Sequence, residues 1–316
     1  MSVESVLKER FNLQEGDELT FFKDSYQKQV EEDLEYGLSN PDTSSMDHLV
    51  TVKRVSGKMG IYTISGDVVV PEDNHKCYPS VYKFWLYDEC YREVIHVRKD
   101  KLSGLLTSKG EQIIPCIYER VEVCDRYILV WEDVLCGVYS YSGKQILKTE
   151  FKSVIRIGVD NHVALICVNK CGLWGVYSED GKEIIPCAHK KVKYDNSHYN
   201  NPIHLFEVEK QNGYISLYSF DGKEITEDEV DNLKWGDRRD KPPIFANGQW
   251  TSDFILAFKD GKPAVLYKNT GEKIVPEVEK YSKMYLEKEF IICIGHGGTT
   301  MDAYDFNGNK ILEFRP

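Results

Sequence analysis

Short apolar strands alternate with polar, glycine-bearing turns along most of the chain, and this alternation repeats seven times. Each copy places a tyrosine or leucine four residues before a glycine, and one or two aliphatic residues follow that glycine. The copies run from Tyr62 to Gly66, Leu106 to Gly110, Tyr139 to Gly143, Tyr177 to Gly181, Tyr218 to Gly222, Tyr267 to Gly271 and Tyr304 to Gly308. A repeat of about 40 residues is typical of propellers and solenoids. The pattern therefore predicts an all-β repeat protein with seven β repeats.

Each repeat offers the same parts in the same order. An apolar strand such as Phe254 to Phe258 is followed by a polar turn and by a second strand that carries the frame tyrosine. The frame glycine then reverses the chain, because glycine adopts the positive φ that such turns need. A third strand follows and reaches a proline at 71, 115, 186 or 276, where we expect pairing to stop. Weaker stretches such as Arg120 to Val123 could supply a fourth strand.

The chain divides into an N-terminal helical segment, 1–48, and a seven-repeat β body, 49–316. In the first segment Val3, Val6, Leu7 and Phe11 share one helical face, and a second helix is predicted from Tyr26 to Leu34. Between these helices, Leu19 to Phe22 reads as a short strand.

Two architectures fit seven repeats of three to four strands. We favour a closed, propeller-like ring over an open β-solenoid of stacked hairpins, because closure removes exposed sheet edges. A closed ring would complete its final blade with an N-terminal strand, for which Leu19 to Phe22 is the candidate. An open array would use the N-terminal helices as a cap.

The fourth copy carries a family resemblance. Its segment Gly172 to Pro186 contains Trp174-Gly175, then Asp180-Gly181-Lys182, an isoleucine pair and a proline, and it resembles the WG repeat. The other copies keep the frame and lose the Trp-Gly pair in part or completely. The resemblance implies a mostly bacterial family of interaction modules without shared catalytic residues. It also implies a link to toxin systems, in which acidic single-chain proteins serve as immunity factors.

The net charge of the chain limits the kinds of molecule that it is expected to bind. Acidic residues exceed basic ones by 51 minus 40, which gives a net charge of -11, and no stretch concentrates Lys and Arg as a phosphate-binding surface requires. We therefore predict no nucleic-acid partner and consider a basic protein partner easier. The charged first ten residues and the absence of an apolar run of about 20 residues predict a cytoplasmic protein without a membrane partner. Nine scattered cysteines without a C-x-x-C pair suit reduced, packed thiols.

No catalytic motif, nucleotide-binding fingerprint or metal-ligand spacing is present, so the sequence identifies no catalytic, cofactor-binding or metal-binding residue. The best candidate for a protein-binding site is the segment Thr226 to Trp250, which reads as an insertion between two repeats. It combines acidic residues with Trp235, Arg238, Arg239, Phe245 and Trp250, and Trp and Arg often dominate interfaces. The alternative is a solvated loop whose aromatic side chains fold back on the repeats. If the segment is an insertion, its replacement by a Gly-Ser turn leaves folding nearly unchanged.

Three functions fit these observations. The first is a non-enzymatic scaffold that binds a protein, including as an immunity protein that neutralises a basic toxin. The second is a propeller that binds a small molecule or glycan. The third is a hydrolase or lyase with its active site on blade loops, because such residues come from several blades and leave no local motif.

Overall fold

A computed structural model describes the chain except for residues 1–2, 24–45, 75, 85–89, 125, 160–161, 170–171, 195–204, 227–229, 236–244, 248–252, 269 and 316. The chain forms two compact units, Met1–Phe151 and Lys152–Pro316. In both units the described residues lie almost entirely in antiparallel strands. The assigned helices in those ranges are α1 (Val3–Arg10) and a single 3-10 turn (Val278–Lys280). Neither is long and apolar enough to cross a membrane.

The first unit contains two sheets of four strands each and the first part of a seven-stranded sheet, which we number as sheets 3 and 4 because its long central strand serves both. Sheet 1 comprises β1 (Glu18–Phe21), β2 (Leu49–Lys53), β3 (Met59–Thr63) and β4 (Val68–Asn74). Sheet 2 comprises β5 (Lys76–Phe84), β6 (Cys90–Lys99), β7 (Leu102–Leu106) and β8 (Gln112–Tyr118). Sheet 3 comprises β9 (Arg120–Val123), β10 (Ile128–Glu132), β11 (Leu135–Tyr139) and the first half of β12 (Gln145–Val159).

The second unit contains the other four sheets. Sheet 4 comprises the second half of β12, β13 (His162–Asn169), β14 (Trp174–Ser178) and β15 (Glu183–His189). Sheet 5 comprises β16 (Lys191–Tyr194), β17 (Leu205–Glu209) and β18 (Ile215–Ser219), and a bridge between Tyr218 and Glu224 stands for its fourth strand. Sheet 6 comprises β19 (Asn232–Trp235), β20 (Phe254–Lys259), β21 (Lys262–Lys268) and β22 (Lys273–Val275). Sheet 7 comprises β23 (Tyr281–Leu286), β24 (Phe290–Gly295), β25 (Met301–Asp305) and β26 (Lys310–Phe314).

The predicted seven-repeat, all-β architecture is therefore confirmed, with one four-stranded antiparallel sheet per repeat. The fourth strand predicted at Arg120 to Val123 is β9, which pairs with β10. It is therefore the first strand of sheet 3 and not the last strand of sheet 2. In sheet 3, therefore, the first strand is one that the sequence assigned to the end of the preceding repeat.

The N-terminal segment belongs to sheet 1. The helix predicted from Val3 is α1, and its Leu7 and Phe11 pack on Val50 and Val52 of β2. The predicted strand at Leu19 is β1, which pairs with β2. The expectation that this strand completes the last sheet was wrong, because sheet 7 has four strands of its own. The second helix, predicted from Tyr26 to Leu34, lies outside the described residues.

All seven frame glycines have the positive φ that the sequence predicted. In each copy the glycine N–H donates to the carbonyl three residues earlier, as from Gly110 to Thr107 at 3.0 Å. A second hydrogen bond crosses the turn in the opposite direction. The N–H of the residue three before the glycine donates to the carbonyl of the residue after the glycine, as from Thr107 to Glu111 at 2.8 Å. These two bonds close the same tight turn in every repeat.

Three of the four prolines do not stop their strands, which corrects the sequence prediction, whereas Pro276 follows directly after the end of β22 at Val275, as predicted. Pro71, Pro115 and Pro186 lie inside β4, β8 and β15. Each lies at a bulge, where a residue without an N–H donor can be accommodated. In sheet 2, Leu105 of β7 pairs with Ile114 of β8, and Ser103 pairs with Tyr118. The single residue Gly104 therefore faces three residues of β8, which form the bulge.

The bulge explains the glycine of the Trp-Gly pair. A Cβ at Gly175 would lie 2.7 Å from the Ile185 carbonyl oxygen, and a Cβ at Gly104 would lie 2.7 Å from the Ile114 carbonyl oxygen. Side chains at these positions would collide with backbone of the adjacent strand. The neighbouring Trp174 is half-buried and packs against the core between sheets 4 and 5.

The core is distributed between successive sheets. One cluster joins Ile61 and Val70 of sheet 1 to Ile95 and Val97 of sheet 2. Equivalent clusters lie between sheets 2 and 3, 4 and 5, 5 and 6, and 6 and 7. Cys77, Cys136 and Cys293 are free, buried thiols, and burial raises the pKa of each to about 12.

The frame turns also contact the preceding sheet. A Cβ at Gly222 would lie 2.2 Å from the carbonyl oxygen of Ile184 in sheet 4, and one at Gly308 would lie 2.4 Å from that of Lys273 in sheet 6. Each turn therefore sits directly on the backbone of the neighbouring outer strand. Glycine is needed there for close approach as well as for φ.

These two demands on glycine can be separated experimentally. Gly222 and Gly213 have nearly the same φ, 86° and 90°, but nothing lies within 4 Å of a Cβ at Gly213. We expect Gly213→Ala to lower the free energy of unfolding by about 1 kcal/mol, the cost of the left-handed backbone alone. Gly222→Ala should cost about 1–3 kcal/mol more, because the methyl group overpacks the contact between sheets. Equal denaturant midpoints for the two variants would contradict the contact.

Candidate functional site

The segment Thr226 to Trp250 is partly regular structure. Its residues Asn232–Trp235 form β19, the first strand of sheet 6, in which Trp235 pairs with Ile255. Val230 and Leu233 are buried in the core between sheets 5 and 6. The expectation that the segment is an insertion replaceable by a Gly-Ser turn was therefore wrong, because the replacement would remove a paired strand and two core residues.

The predicted binding residues fall in different places. Phe245 is 2% exposed and lies in the core between sheets 6 and 7, so the structure places it in the interior and not on an exposed surface. Arg238, Arg239 and Trp250 lie outside the described residues, as does the side chain of Trp235. Their proposed contacts with a partner remain a prediction.

The residues around Phe245 follow the edge of sheet 7. The Ala246 N–H donates to the carbonyl of Met284 at 2.7 Å, and the Asn247 side-chain amide donates to the carbonyl of Leu286 at 2.9 Å. The ring of Phe245 packs edge-on against Phe254, with 5.5 Å between ring centroids. The predicted segment thus reaches the end of sheets 6 and 7 where Phe254 and Leu286 lie.

A pocket of about 550 Å³ opens at this end of the two sheets. It lies where β20 begins and where β21 and β23 end. The lining residues are Asp253, Phe254, Lys268, Leu286, Glu287, Lys288 and Phe306. The rings of Phe254 and Phe306 lie 5.6 Å apart and form an aromatic floor together with Leu286. We call this the Phe254–Phe306 pocket.

The rim of the Phe254–Phe306 pocket carries equal numbers of positively and negatively charged side chains. Lys268 and Lys288 supply two cations, and Asp253 and Glu287 supply two carboxylates. Glu287 and Lys288 are exposed on the turn between β23 and β24. An apolar floor with a few polar groups at its edge is the usual composition of a binding pocket. The arrangement can hold an aromatic or aliphatic group whose polar substituents meet the rim.

Sequence reading did not find this pocket, because its residues come from four separate stretches of the chain. Phe254 and Lys268 lie at the ends of strands, and Glu287, Lys288 and Phe306 lie in turns. Nothing in their spacing marks them as neighbours. The one usable signal was the proximity of the aromatic segment, whose Phe245 contacts the pocket floor.

Outside the pocket, the most perturbed ionisable groups form a cluster in sheet 7. The Asp302 side chain is 2% exposed and accepts hydrogen bonds from Arg315 at 2.9 and 3.1 Å and from the Tyr281 hydroxyl. Lys310 lies 3.2 Å away. Burial raises the pKa of Asp302, but the bonds from Arg315, Tyr281 and Lys310 outweigh it, so its pKa lies below the ordinary value. Burial and the Asp302 carboxylate together raise the pKa of Tyr281.

A similar cluster stabilises sheet 1. The Arg54 guanidinium contacts Glu72 at 2.6 Å and Asp17 at 2.9 Å, and it also donates to the carbonyls of Phe11 and Asn12. The hydrogen bond from Arg54 lowers the pKa of Glu72, and burial together with Glu72 raises that of Tyr62 to about 12. Both clusters pair every charge with an opposite one, which is typical of a structural network and not of a reaction centre.

The described residues contain no group of three or more His, Cys, Asp or Glu side chains that could hold a metal ion. His96 lies between two tyrosines, bonded to the Tyr82 hydroxyl at 2.8 Å and stacked on Tyr78 at 4.9 Å. Burial lowers the pKa of His96 to about 4, so its imidazole is neutral at pH 7. Among these features the Phe254–Phe306 pocket is the best candidate for ligand contact.

Comparison with known proteins gives no family assignment. No family model and no curated protein matches the chain. Solved structures that align with it include Kluyveromyces lactis Hsv2p at 10% identity, covering 82% of this chain and 89% of that one with a TM-score of 0.26. BamB from Moraxella catarrhalis aligns at 10% identity over 87% and 84% with a TM-score of 0.24. The WD40 β-propeller domain of Doa1 aligns at 13% identity over 85% and 79% with a TM-score of 0.21. At such scores the aligned proteins carry no inference about function.

The Asp302 cluster gives a pH-dependent prediction. We expect Asp302→Asn to lower the free energy of unfolding at pH 7 by about 1–3 kcal/mol, because Arg315 and Lys310 lose their shared counter-charge. The pKa of Asp302 is depressed in the folded state, so its stabilisation is present above its unfolded pKa of about 4 and is lost as pH falls through the folded pKa. The difference between variant and wild type should therefore shrink below about pH 4. Denaturant titrations at several pH values measure it, with the exposed Glu289→Gln as control.

Proposed function

We propose that the protein is a non-enzymatic binding scaffold that recognises a protein partner through the Phe254–Phe306 pocket. The observation that carries this proposal is the aromatic floor of the pocket, formed by Phe254, Phe306 and Leu286 and ringed by charged groups. A partner side chain that enters such a pocket is desolvated while polar groups at the edge fix its orientation. Interface energy is usually concentrated at such points.

The chemistry of the rest of the described surface supports a binding role. The carboxylates Glu72, Glu224 and Asp302 all have their pKa lowered, and each accepts a hydrogen bond from a cation and a tyrosine of the same sheet. A general base, in contrast, works best with a pKa near neutrality. These carboxylates stabilise the sheets and are not poised to transfer protons.

A finer form of the proposal is an immunity protein that neutralises a basic toxin. The net charge of -11 supports it, since an acidic protein attracts a basic one at long range. The pocket itself carries two cations and two carboxylates, so it has no net charge. It would hold an apolar side chain of the toxin and would not attract the toxin electrostatically. Attraction would then come from the remaining acidic surface. A cytoplasmic location fits this proposal and rests on the sequence.

A small-molecule ligand is the second candidate. The pocket volume of about 550 Å³ falls within the roughly 300–1,000 Å³ of small-molecule sites. An aromatic compound with an acidic or basic substituent would fit the floor and the rim. A thermal-shift screen of such compounds against the wild-type protein and Phe306→Ser tests this candidate directly.

The pocket proposal predicts a charge-reversal effect. The experiment first identifies proteins captured from the native host by mass spectrometry, and then measures the affinity of the purified partner for defined variants. Lys288→Glu changes an exposed rim residue and should weaken binding at least about tenfold, because one cation on the rim becomes a carboxylate. The free energy of unfolding should stay within about 0.5 kcal/mol of wild type.

Lys262→Glu is the matched control, since Lys262 is an exposed lysine at the opposite end of β21 and makes the same charge change. Equal changes of affinity in both variants would indicate a general effect of net charge, without a role for the pocket; for a basic partner that general effect is a gain of affinity. Unchanged affinity in Lys288→Glu and Phe306→Ser would place the recognition surface elsewhere. Repeating the measurements at high salt shows how much of the binding depends on net charge.

A further inference from the structure

Three aromatic rings lie against one another at one end of sheet 5. Tyr194, the last residue of β16, lies 5.6 Å from Phe220 of the frame turn and 6.0 Å from Phe206 of β17, measured between ring centroids. Phe206 and Phe220 are 5.0 Å apart. Such separations are typical of packed aromatic pairs. The Tyr194 ring therefore fills the end of the core between sheets 4 and 5.

The core between sheets 6 and 7 is built on the same positions. When sheets 5 and 7 are aligned on their frame tyrosines, their strand pairings agree residue by residue. The buried residues Val192, Val208 and Tyr218 of sheet 5 then correspond to the buried residues Met284, Cys293 and Tyr304 of sheet 7. The end of sheet 5 is therefore an internal reference for the end of sheet 7.

The Phe254–Phe306 pocket lies where this correspondence replaces a ring by a shorter side chain. Leu286 corresponds to Tyr194, since each is joined through one paired residue of the next strand to the frame tyrosine of its sheet. Phe306 corresponds to Phe220, since each lies two residues after that tyrosine. Leu286 and Phe306 both line the pocket. Sheet 7 therefore keeps the ring in the turn and lacks a ring of its own beside it.

The other aromatic residues at this end do not close the pocket. Phe254 lies 5.6 Å from Phe306 and forms the floor with it, and Phe245 packs edge-on against Phe254. A volume of about 550 Å³ stays open beside them, which is within the range of sites that hold small organic groups. A ring that enters from outside can therefore stack on Phe306.

The rim favours a neutral occupant that carries a hydroxyl group. Its two lysines and two carboxylates have no net charge, so the rim as a whole prefers neither an acidic nor a basic side chain. A phenol hydroxyl can donate to a carboxylate and accept from a lysine. A tyrosine side chain thus suits both the aromatic floor and the rim.

We propose that the Phe254–Phe306 pocket binds an exposed tyrosine side chain of the protein partner. The ring of this tyrosine lies against Phe306 as the Tyr194 ring lies against Phe220, so the partner supplies the ring that sheet 7 lacks. The proposal rests on the proposed function and names the group that the partner presents. Buried aromatic groups of this kind often dominate the affinity of an interface.

Blocked amino acids test this proposal without the partner. Saturation-transfer NMR with the full chain measures the binding of N-acetyl-tyrosinamide and of N-acetyl-leucinamide. We expect the tyrosine amide to bind at least about threefold more tightly, because its ring stacks on Phe306 and an aliphatic side chain cannot. Equal affinities, or no detectable binding of the tyrosine amide, would overturn the proposal. Tighter binding of free tyrosine than of its blocked amide would assign the pocket to a small molecule and would also overturn it.

Leu286→Tyr supplies the missing ring from within the chain. The new ring should occupy the pocket as Tyr194 occupies the end of sheet 5, and the affinity for the tyrosine amide should fall at least about tenfold. Leu286→Met is the matched control, because it keeps a side chain of similar volume without a ring, and it should bind like the wild type. A folded Leu286→Tyr protein with wild-type affinity for the amide would contradict the proposal. Circular dichroism melts check that each variant folds, and the preference of the wild-type protein decides the outcome if a variant unfolds.

This result is separable from that of the proposed function. If the protein partner loses affinity for Phe306→Ser but the two amides bind the wild type equally, the proposed function stands and the tyrosine proposal fails. If the tyrosine amide is preferred but the partner binds Phe306→Ser at full strength, the partner docks elsewhere and the proposed function fails although the pocket accepts the ring.

Discussion

The contact between one sheet and the outer strand of the sheet before it determines most of this structure. The turn at Gly222 lies directly on the Ile184 carbonyl, and the turn at Gly308 lies on that of Lys273. No side chain fits between backbone atoms at such distances. At Gly110, Gly143, Gly222 and Gly308 the distance between sheets is therefore limited by backbone contact at the turn, and the aliphatic residues beside the turn fill the space that remains. Stability of this kind is a sum over neighbouring pairs, as in other repeat proteins.

Sequence reading predicted this architecture because the constraint leaves a mark on the chain. A glycine at fixed distance from a tyrosine and an aliphatic pair is visible without alignment, and all seven copies form the predicted turn. The strand boundaries were harder to predict. Proline suggested a strand end, but Pro115 and Pro186 lie at bulges inside strands. The first strand of sheet 6, β19, is short and lies in the segment that the sequence assigned to an insertion. Only its pairing with β20 identifies it as a strand.

The candidate site was less predictable for a different reason. Phe254, Leu286 and Phe306 are separated by tens of residues and converge because successive sheets stack in register. Each is an ordinary apolar residue at a strand end or turn when considered alone. The Asp302 cluster shows the opposite case. Asp302 stands where four of the other six copies have glycine, so its departure from the pattern is visible in the sequence. That departure marks a structural contact to Arg315. An unusual residue in the repeat is thus no guide to function here.

The two arginine clusters have a consequence for how the protein opens. Arg54 and Arg315 lie in sheets 1 and 7, the first and last of the seven. Local opening of a sheet exposes its backbone amides and separates the charges that join it to neighbouring segments. Each cluster joins a neighbouring segment of the chain to its sheet. Arg54 donates to the carbonyls of Phe11 and Asn12, which precede sheet 1, and Arg315, which follows β26, donates to Asp302 of sheet 7. We therefore expect the Arg54 and Arg315 contacts to raise the free energy of local opening of sheets 1 and 7, and so to slow hydrogen exchange of their backbone amides.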